Sequence, residues 1–168
     1  MIRNITVIIL SLCVMLTVGY LDIAMGGTIA CPGQISTSTI MGDNIISHTS
    51  YVLRNFNNTK TIDINRIVVY DASGSVRCDF PNVNSFPATF NSSLQPHQST
   101  KIFTVDMTAA GCISLQTEGT IQTVITWSFS SGETGEPLNV LATPINMNTK
   151  DKETFGMVPI VCSALNAQ

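Results

Sequence analysis

The chain has 168 residues, of which 44% are hydrophobic and only 11% charged, with five cysteines, a formal net charge of -3 and a sequence pI near 5.1. A chain of this length builds one domain with a core of its own, so neither metals nor crosslinks are needed merely to fold it. Its charged fraction is less than half of the roughly 25% usual for soluble domains. The Lys and Arg residues after Arg3 are scattered, so no basic field forms for phosphates and nucleic acid is excluded as an expected partner.

The first element is "NITVIILSLCVMLTVGYL", residues 4–21, which carries no charge and is followed by Asp22. As a helix it would extend about 27 Å, just short of the roughly 30 Å hydrocarbon core of a bilayer. Two readings follow. As a secretory signal peptide it ends in small residues, with cleavage after Gly26 or after Ala30. As a membrane anchor it keeps Arg3 inside and places everything beyond Asp22 outside. Both give the same organisation, a signal peptide or transmembrane helix in residues 1–30 and an extracytoplasmic domain in residues 31–168. In the anchored case the membrane is a partner through residues 4–21, and in the cleaved case the domain is periplasmic or secreted. "TIAC", residues 28–31, ends like a lipidation signal, but Thr28 stands where Leu is preferred and Asp22 to Ala30 separate Cys31 from the apolar run.

Beyond residue 34 apolar residues alternate with period two, and no stretch sustains the spacing of three and four that marks a helix. Candidate strands are Gln34–Met41, Ser47–Phe56, Ser75–Phe80, Phe86–Phe90, Leu138–Ile145 and Thr154–Cys162, with three longer runs between them. In "IDINRIVVYD" Ile62 and Ile64 share one face and Ile67 and Val69 the other, so a bulge is expected near Asn65-Arg66. "STKIFTVDM" is expected as a strand with Phe103, Val105 and Met107 inward and Lys101 at the rim. "TIQTVITWSF" puts Ile121, Thr123, Ile125, Trp127 and Phe129 on one face. Turn signals at Asn57-Asn58, Ser73-Gly74, Pro81-Asn82, Gln95-Pro96, Gly111, 132–137 and 146–151 separate these runs. The expected fold is all-β, an antiparallel immunoglobulin-like β-sandwich of about eight or nine strands preceded by one N-terminal hydrophobic helix. Its core is expected to hold Val52, Leu53, Phe56, Val68, Tyr70, Phe90, Phe103, Val105, Ile125, Trp127 and Phe129.

Cys13 lies inside the apolar run and counts as a small hydrophobe. The other four, Cys31, Cys78, Cys112 and Cys162, are an even number in a chain bound for an oxidising compartment, and two disulfides are expected. They are too far apart for the close pairs of a zinc site. Sequence permits three pairings. We favour Cys31 with Cys162, tying the start of the domain to its end, and Cys78 with Cys112, closing an inner loop.

The runs "YVLRNFNNTKTIDINRIVVYDASGS", "SLQPHQSTKIFTVDM", "VITWSF" and "EPLNVLATPI", together spanning about residues 50–147, resemble in layout a family of uncharacterised exported bacterial proteins. The chain departs from that pattern in its four extracytoplasmic cysteines and in lacking a glycine-rich stretch before the tryptophan strand. The resemblance implies a β-sandwich outside the cytoplasm and brings no functional residue. More generally the chain resembles immunoglobulin-like folds, which says nothing of activity.

No reactive set stands out. Asp71 in "DASGSVRCD" has only Asp79 for company, against the alternating oxygen ligands of a calcium loop, and reads as a hairpin turn with Gly74 at positive φ. His48 and His97, with Met41, Met107, Met147 or Met157, show none of the short spacings of a copper site, and both are expected in solvent. No serine lies in G-x-S-x-G, and Glu133 and Glu136 sit in a Gly-rich turn. Catalytic, cofactor and metal residues are therefore expected to be none. Asn57 and Asn91 begin glycosylation sequons, which marks their turns as candidates for exposure.

The function expected is a non-enzymatic extracytoplasmic structural or interaction module, an accessory subunit joined to protein subunits of a membrane or envelope assembly. The weakly charged Ser/Thr/Asn surface, which costs little to desolvate, motivates it. The alternatives are a sandwich binding small ligands or glycans, and a periplasmic copper-handling protein.

Overall fold

The computed structural model describes residues 26–40, 42–81, 90–114, 119–130, 134–156 and 158–165. The apolar run 4–21 and most of the expected strand Phe86–Phe90 lie outside the described residues. Among the described residues no helix is long and apolar enough to cross a membrane. The chain is an antiparallel β protein with eleven strands among those residues: β1 (Gly26–Ile40), β2 (Asp43–Arg54), β3 (Ile62–Asp71), β4 (Val76–Phe80), β5 (Ser93–Leu94), β6 (Ser99–Phe103), β7 (Gly119–Phe129), β8 (Asn139–Asn148), β9 (Thr154–Gly156), β10 (Ile160–Val161) and β11 (Ser163–Leu165). One short helix, α1 (Thr104–Ala109), follows β6. The strands run in the order β10-β8-β2-β1-β7-β3-β4, with β11 on β1, β5 on β3, β6 on β2 and β9 on β8.

The long first strand organises this order by changing partners. Gly26 to Ile35 ladder with β7, and Ile35 to Ile40 ladder with β2 in a hairpin that turns at Gly42, whose φ of 89° suits glycine. Past the pair Ile35 and His48 the two strands part, β1 staying with β7 while β2 takes β6 as its new neighbour. Splitting a ladder leaves backbone groups unpaired, and threonine hydroxyls fill the gap. Gln34 N–H donates to Thr49 Oγ1 at 2.9 Å, Thr49 N–H donates to Thr104 Oγ1 at 3.0 Å, and the Thr104 hydroxyl donates to the Gln34 carbonyl at 3.1 Å. Thr49 and Thr104 are wholly buried, and the bond between them is buried, while the two to Gln34 are partly so.

A single core draws on β1, β2, β3, β7 and β8, with Cys78 of β4, Leu94 of β5, Ile102 of β6 and Met107 of α1 joining it. Tyr51 of β2 reaches across to β7, where the Thr123 hydroxyl donates to its Oη at 3.0 Å. It passes over Gly33 of β1, where any Cβ would collide with the phenol. Trp127 and Phe129 meet edge to face at 5.3 Å between ring centres.

Strand β7 buries the five alternating residues expected of it. Strand β3 carries its expected bulge, the ladder to β7 slipping between Ile64 and Arg66, so that Ile62, Ile64, Ile67 and Val69 are all buried. Several expectations need correction. In "STKIFTVDM" the strand stops at Phe103 because Asp106 Oδ2 accepts the Phe103 N–H at 3.0 Å and starts helix α1. The buried residues before it are Thr100 and Ile102, with Lys101 exposed and Phe103 and Val105 only half-buried. In β2 the buried series is Tyr51 and Leu53, Val52 is half-buried, and Phe56 is 52% exposed. Tyr70 and Phe90 are also half-buried. The run 154–162 is broken into two short strands, and the strand expected from Gln34 is the second part of a longer one, Gly26–Ile40.

Candidate interaction surface

The C-terminal segment is built unlike the rest of the molecule. After the turn at 149–152, β9 and β10 lie along β8, the register slipping by one between the Ile145–Gly156 and Ala142–Ile160 pairs. Cys162 N–H then donates to the Val140 carbonyl at 3.0 Å, and the chain crosses to β1, where Ser163 to Leu165 pair with Thr28 to Ala30. Residues 160–165 thus strap the seam between β8 and β1. A strand with one face on a core hides every second side chain. This one hides neither: Val158 is 82% exposed and Val161 66%, and Phe155, Ile160 and Leu165 are exposed as well. From Thr154 to Leu165 there is no charge.

The anchor of the strap is covalent. Cys162, half-buried, is bonded to Cys31, which is fully buried on β1, with 4.7 Å between their Cα atoms. Cys31 being so bonded, its sulfur is not open to a lipid thioether. Two apolar cavities flank the strap along the seam. One, of about 200 Å³, is lined by Ile29, Trp127, Leu138, Val140, Val161 and Cys162 among others. The other, of about 170 Å³, is lined by Gly33, Thr49, Ala142, Pro144 and Ile160 among others. The second disulfide joins Cys78 on β4 to Cys112, just past α1, with 5.4 Å between Cα atoms. It pins the edge strand β4 to the helix that closes β6.

The edge at β4 is guarded by charge. Arg66 on β3 grips Asp79 on β4 with two hydrogen bonds of 2.8 and 2.5 Å. That grip raises the Arg66 pKa and lowers that of Asp79. This exposed ion pair puts charge on the face beside the β4 edge, where charge discourages strand addition, whereas the strap carries none.

Asp71 serves its turn. Its Oδ1 accepts the Ser73 hydroxyl at 2.6 Å and the N–H groups of Ser73 and Ser75 at 2.9 and 3.0 Å, which lowers its pKa, the Ser73 hydroxyl contributing most. Gly74 sits at φ 82°. Among the described residues no group of three or more His, Cys, Asp or Glu could hold a metal ion.

His97 is exposed in the turn before β6, but His48 is not in solvent as expected. It is buried at the point where β1 and β2 part, edge to face with Phe103 at 6.0 Å, and its Nδ1 has no hydrogen-bond partner. Burial lowers its pKa, with the Asp106 carboxylate opposing. His97 lies beside Gln98, whose carbonyl takes the Asn55 N–H beyond the far end of β2. Seven residues of extended chain therefore put the two histidines about 20 Å apart.

The sequon residue Asn57 is buried, and its Nδ2 donates to Asn55 Oδ1 and to the Glu136 carbonyl, both at 2.8 Å. Asn55, also buried, donates to the carbonyls of Lys60, Leu94 and Gln95. These two side chains bind together the loops that follow β2, β5 and β7. Asn91 is exposed, and so is Glu136. Sequence reasoning missed both buried asparagines, although their spacing of two after Tyr51 and Leu53 was the available signal.

A shallow cleft of about 440 Å³ with a mixed lining lies on the β6 side, bounded by Val52, Asn91, Ser99, Thr100, Lys101, Phe103 and Asp106. The Lys101 ammonium stands 5.6 Å from the centre of the Phe103 ring. Trp127 is buried, so Phe103 is the aromatic that this cleft offers.

No family model and no curated protein matches this chain. Among solved structures, the crystal structure of Thermotoga maritima 1070 aligns with a TM-score of 0.44 at 11% identity, covering 80% of this chain and 92% of that one. The major pilin subunit of Bacillus cereus, BcpA*(D312A), aligns with a TM-score of 0.34 at 12% identity, covering 79% of this chain and 39% of the pilin. Likenesses of this strength carry no argument about activity.

Proposed function

We propose that the chain is a non-enzymatic extracytoplasmic interaction module, an immunoglobulin-like sandwich that joins a membrane-bound or envelope assembly as an accessory subunit. The observation that carries this reading is the uncharged C-terminal segment Thr154–Leu165, which presents five large exposed apolar side chains, Phe155, Val158, Ile160, Val161 and Leu165. Clustered exposed apolar side chains on a soluble domain favour a protein partner. Two disulfides favour an oxidising compartment. Residues 4–21 act either as the export signal or as the anchor. Cleavage after Gly26 suits the fold better than cleavage after Ala30, because Ile29 and Ala30 are buried in β1 and pair with both β7 and β11. Gentle purification from the native source, followed by identification of co-purifying proteins, tests this reading; a lone monomer at native abundance refutes it.

A second reading is favoured by the cleft at Lys101 and Asp106, whose two opposite charges, the Asn91 amide and the half-buried Phe103 ring suit a small polar ligand such as a sugar acid. Glycan-array binding that disappears in Lys101→Ala would support it over the first.

A further inference from the structure

We infer that α1 is an acid-operated latch: a proton taken up by His48 releases the helix, with Phe103 before it, from the fork of β1 and β2 while the sheets stay folded. The latch acts whichever partner or ligand the chain takes. His48 sits where the two strands part, and the start of α1 closes over it. Its ring meets Phe103 edge to face, the N–H of its neighbour Thr49 donates to Thr104, the first residue of the helix, and Asp106 is the carboxylate that acts on it. The ring is buried and its Nδ1 has no partner. A neutral imidazole leaves one lone pair unmet there. A cation puts a charge and a second N–H into the same dry place, which costs far more.

Few groups among the described residues can answer that charge. β1 and β8, which face His48 in the ladders at Ile35 and Ile145, carry no charged residue from end to end. On β2 itself the charges stand at the two ends, Asp43 and Arg54. β6 brings Lys101, of the same sign, with its ammonium 5.6 Å from the centre of the Phe103 ring. α1 brings Asp106, whose Oδ2 already takes the Phe103 N–H that starts the helix. The cation is therefore better met by water, and water reaches it most directly when α1 lifts. The helix is lightly anchored. It has six residues and buries two side chains, Thr104 and Met107, while Val105, Asp106 and Thr108 are half-buried and Ala109 is exposed. Besides Met107 in the core, Thr104 holds it to the fork through the Thr49 N–H and the Gln34 carbonyl. Past the turn at Gly111, with φ 73°, Cys112 is bonded to Cys78, so a lifted helix stays tethered and can return. An element with so few buried side chains opens at less than the free energy of global unfolding. Lifting it moves Phe103 and Asp106, two walls of the 440 Å³ cleft, so acid remodels that cleft.

In the open form His48 is solvated and takes its proton near the ordinary 6.5, whereas burial lowers that value in the closed form. The open form therefore gains on the closed one as pH falls, by at most about tenfold between pH 7.5 and 5.5. Amide exchange of the chain as isolated tests this, each rate divided by that of the unfolded sequence at the same pH. The reporters are the N–H groups of Thr49, Phe103 and Ala110, whose acceptors, Thr104 Oγ1, Asp106 Oδ2 and the Asp106 carbonyl, all belong to α1. Their protection should be lower than that of β3 and β7, hold constant in dilute urea that lowers theirs, and fall on acidification by up to about tenfold. His48→Gln, which stays polar and takes no charge, should abolish the fall, and His97→Asn should keep it. Reporter protection that is independent of pH, that follows β7 at every urea concentration, or that still falls in His48→Gln overturns the inference. Should His48→Gln fail to fold, the pH and urea series on the unaltered chain decide alone.

Discussion

Asn57 pairs with Glu136 as one strand residue pairs with another. Its Nδ2 donates to the Glu136 carbonyl and its Oδ1 accepts the Glu136 N–H, both at 2.8 Å. A side-chain amide thereby supplies the backbone complement that the loop after β7 would otherwise take from water. Asn57→Ala removes both bonds to Glu136 and the buried bond from Nδ2 to Asn55 Oδ1, and such losses cost about 0.5–1.5 kcal/mol each. Chemical denaturation should show a lower midpoint with an unchanged slope, and Asn58→Ala next to it should show almost no change. The same bonds occupy the nitrogen that a glycan would need. Folded protein secreted from a glycosylating host should therefore carry sugar at Asn91 and none at Asn57, as peptide mass mapping would read.

Gly33 and Tyr51 are matched by shape. The phenol crosses the strand where a Cβ would stand, and burial pushes its pKa up to about 12 against the Thr123 hydrogen bond. Gly33→Ala must push the ring off Thr123, an overpacking cost of about 1–3 kcal/mol. Tyr51→Phe removes the clashing oxygen and costs about 1 kcal/mol for the lost hydrogen bond. The two changes should then be less than additive, because the alanine no longer meets the hydroxyl. A double-mutant cycle by urea unfolding measures this, and strict additivity would place the collision elsewhere.

Period-two alternation reached the fold because most strands here have one dry face. It worked best on β7, where every second residue is apolar or threonine, and on β3, where a parity change disclosed the bulge. It failed where polarity and position disagreed. After Leu53 the alternation continues inward through Asn55 and Asn57, while Phe56, aromatic and so expected inside, points to solvent. The loops needed amides more than the core needed another ring. Asp106 was invisible for another reason. One carboxylate taking the Phe103 N–H turns a strand-like run into a helix, and residue spacing does not register a cap. The strap was legible as a strand and illegible as a surface, since alternation assigns every strand an inner face and β10 has none.

His48 makes stability depend on pH in a stated direction. Burial favours its neutral form, so its folded pKa lies below the ordinary 6.5, with Asp106 pulling the other way. The unfolded chain then binds the proton more readily than the folded one between those two values. The stabilisation is complete above pH 6.5 and is lost as pH falls through the lowered folded value. Denaturation midpoints between pH 5 and 7.5 should fall on acidification, and His48→Leu should flatten that dependence. A midpoint rising on acidification would mean that Asp106 outweighs burial.

The two disulfides should differ in what their loss does. Cys31 and Cys162 close a loop of 131 residues and Cys78 and Cys112 one of 34. In the chain-entropy model these are worth about 5 and about 4 kcal/mol at 25 °C. The difference in thermodynamic size is small, but the structures they hold are not alike. Cys78 is buried against the core, so Cys78→Ser with Cys112→Ser should loosen β4 and α1 and lower the melting temperature. Cys31→Ser with Cys162→Ser should in addition free the strap. Amide exchange should then accelerate at Ile160, Val161 and Cys162→Ser itself while β7 and β3 keep their protection. If exchange in β7 rose as much as in the strap, the clasp would be holding the whole domain and not the segment alone.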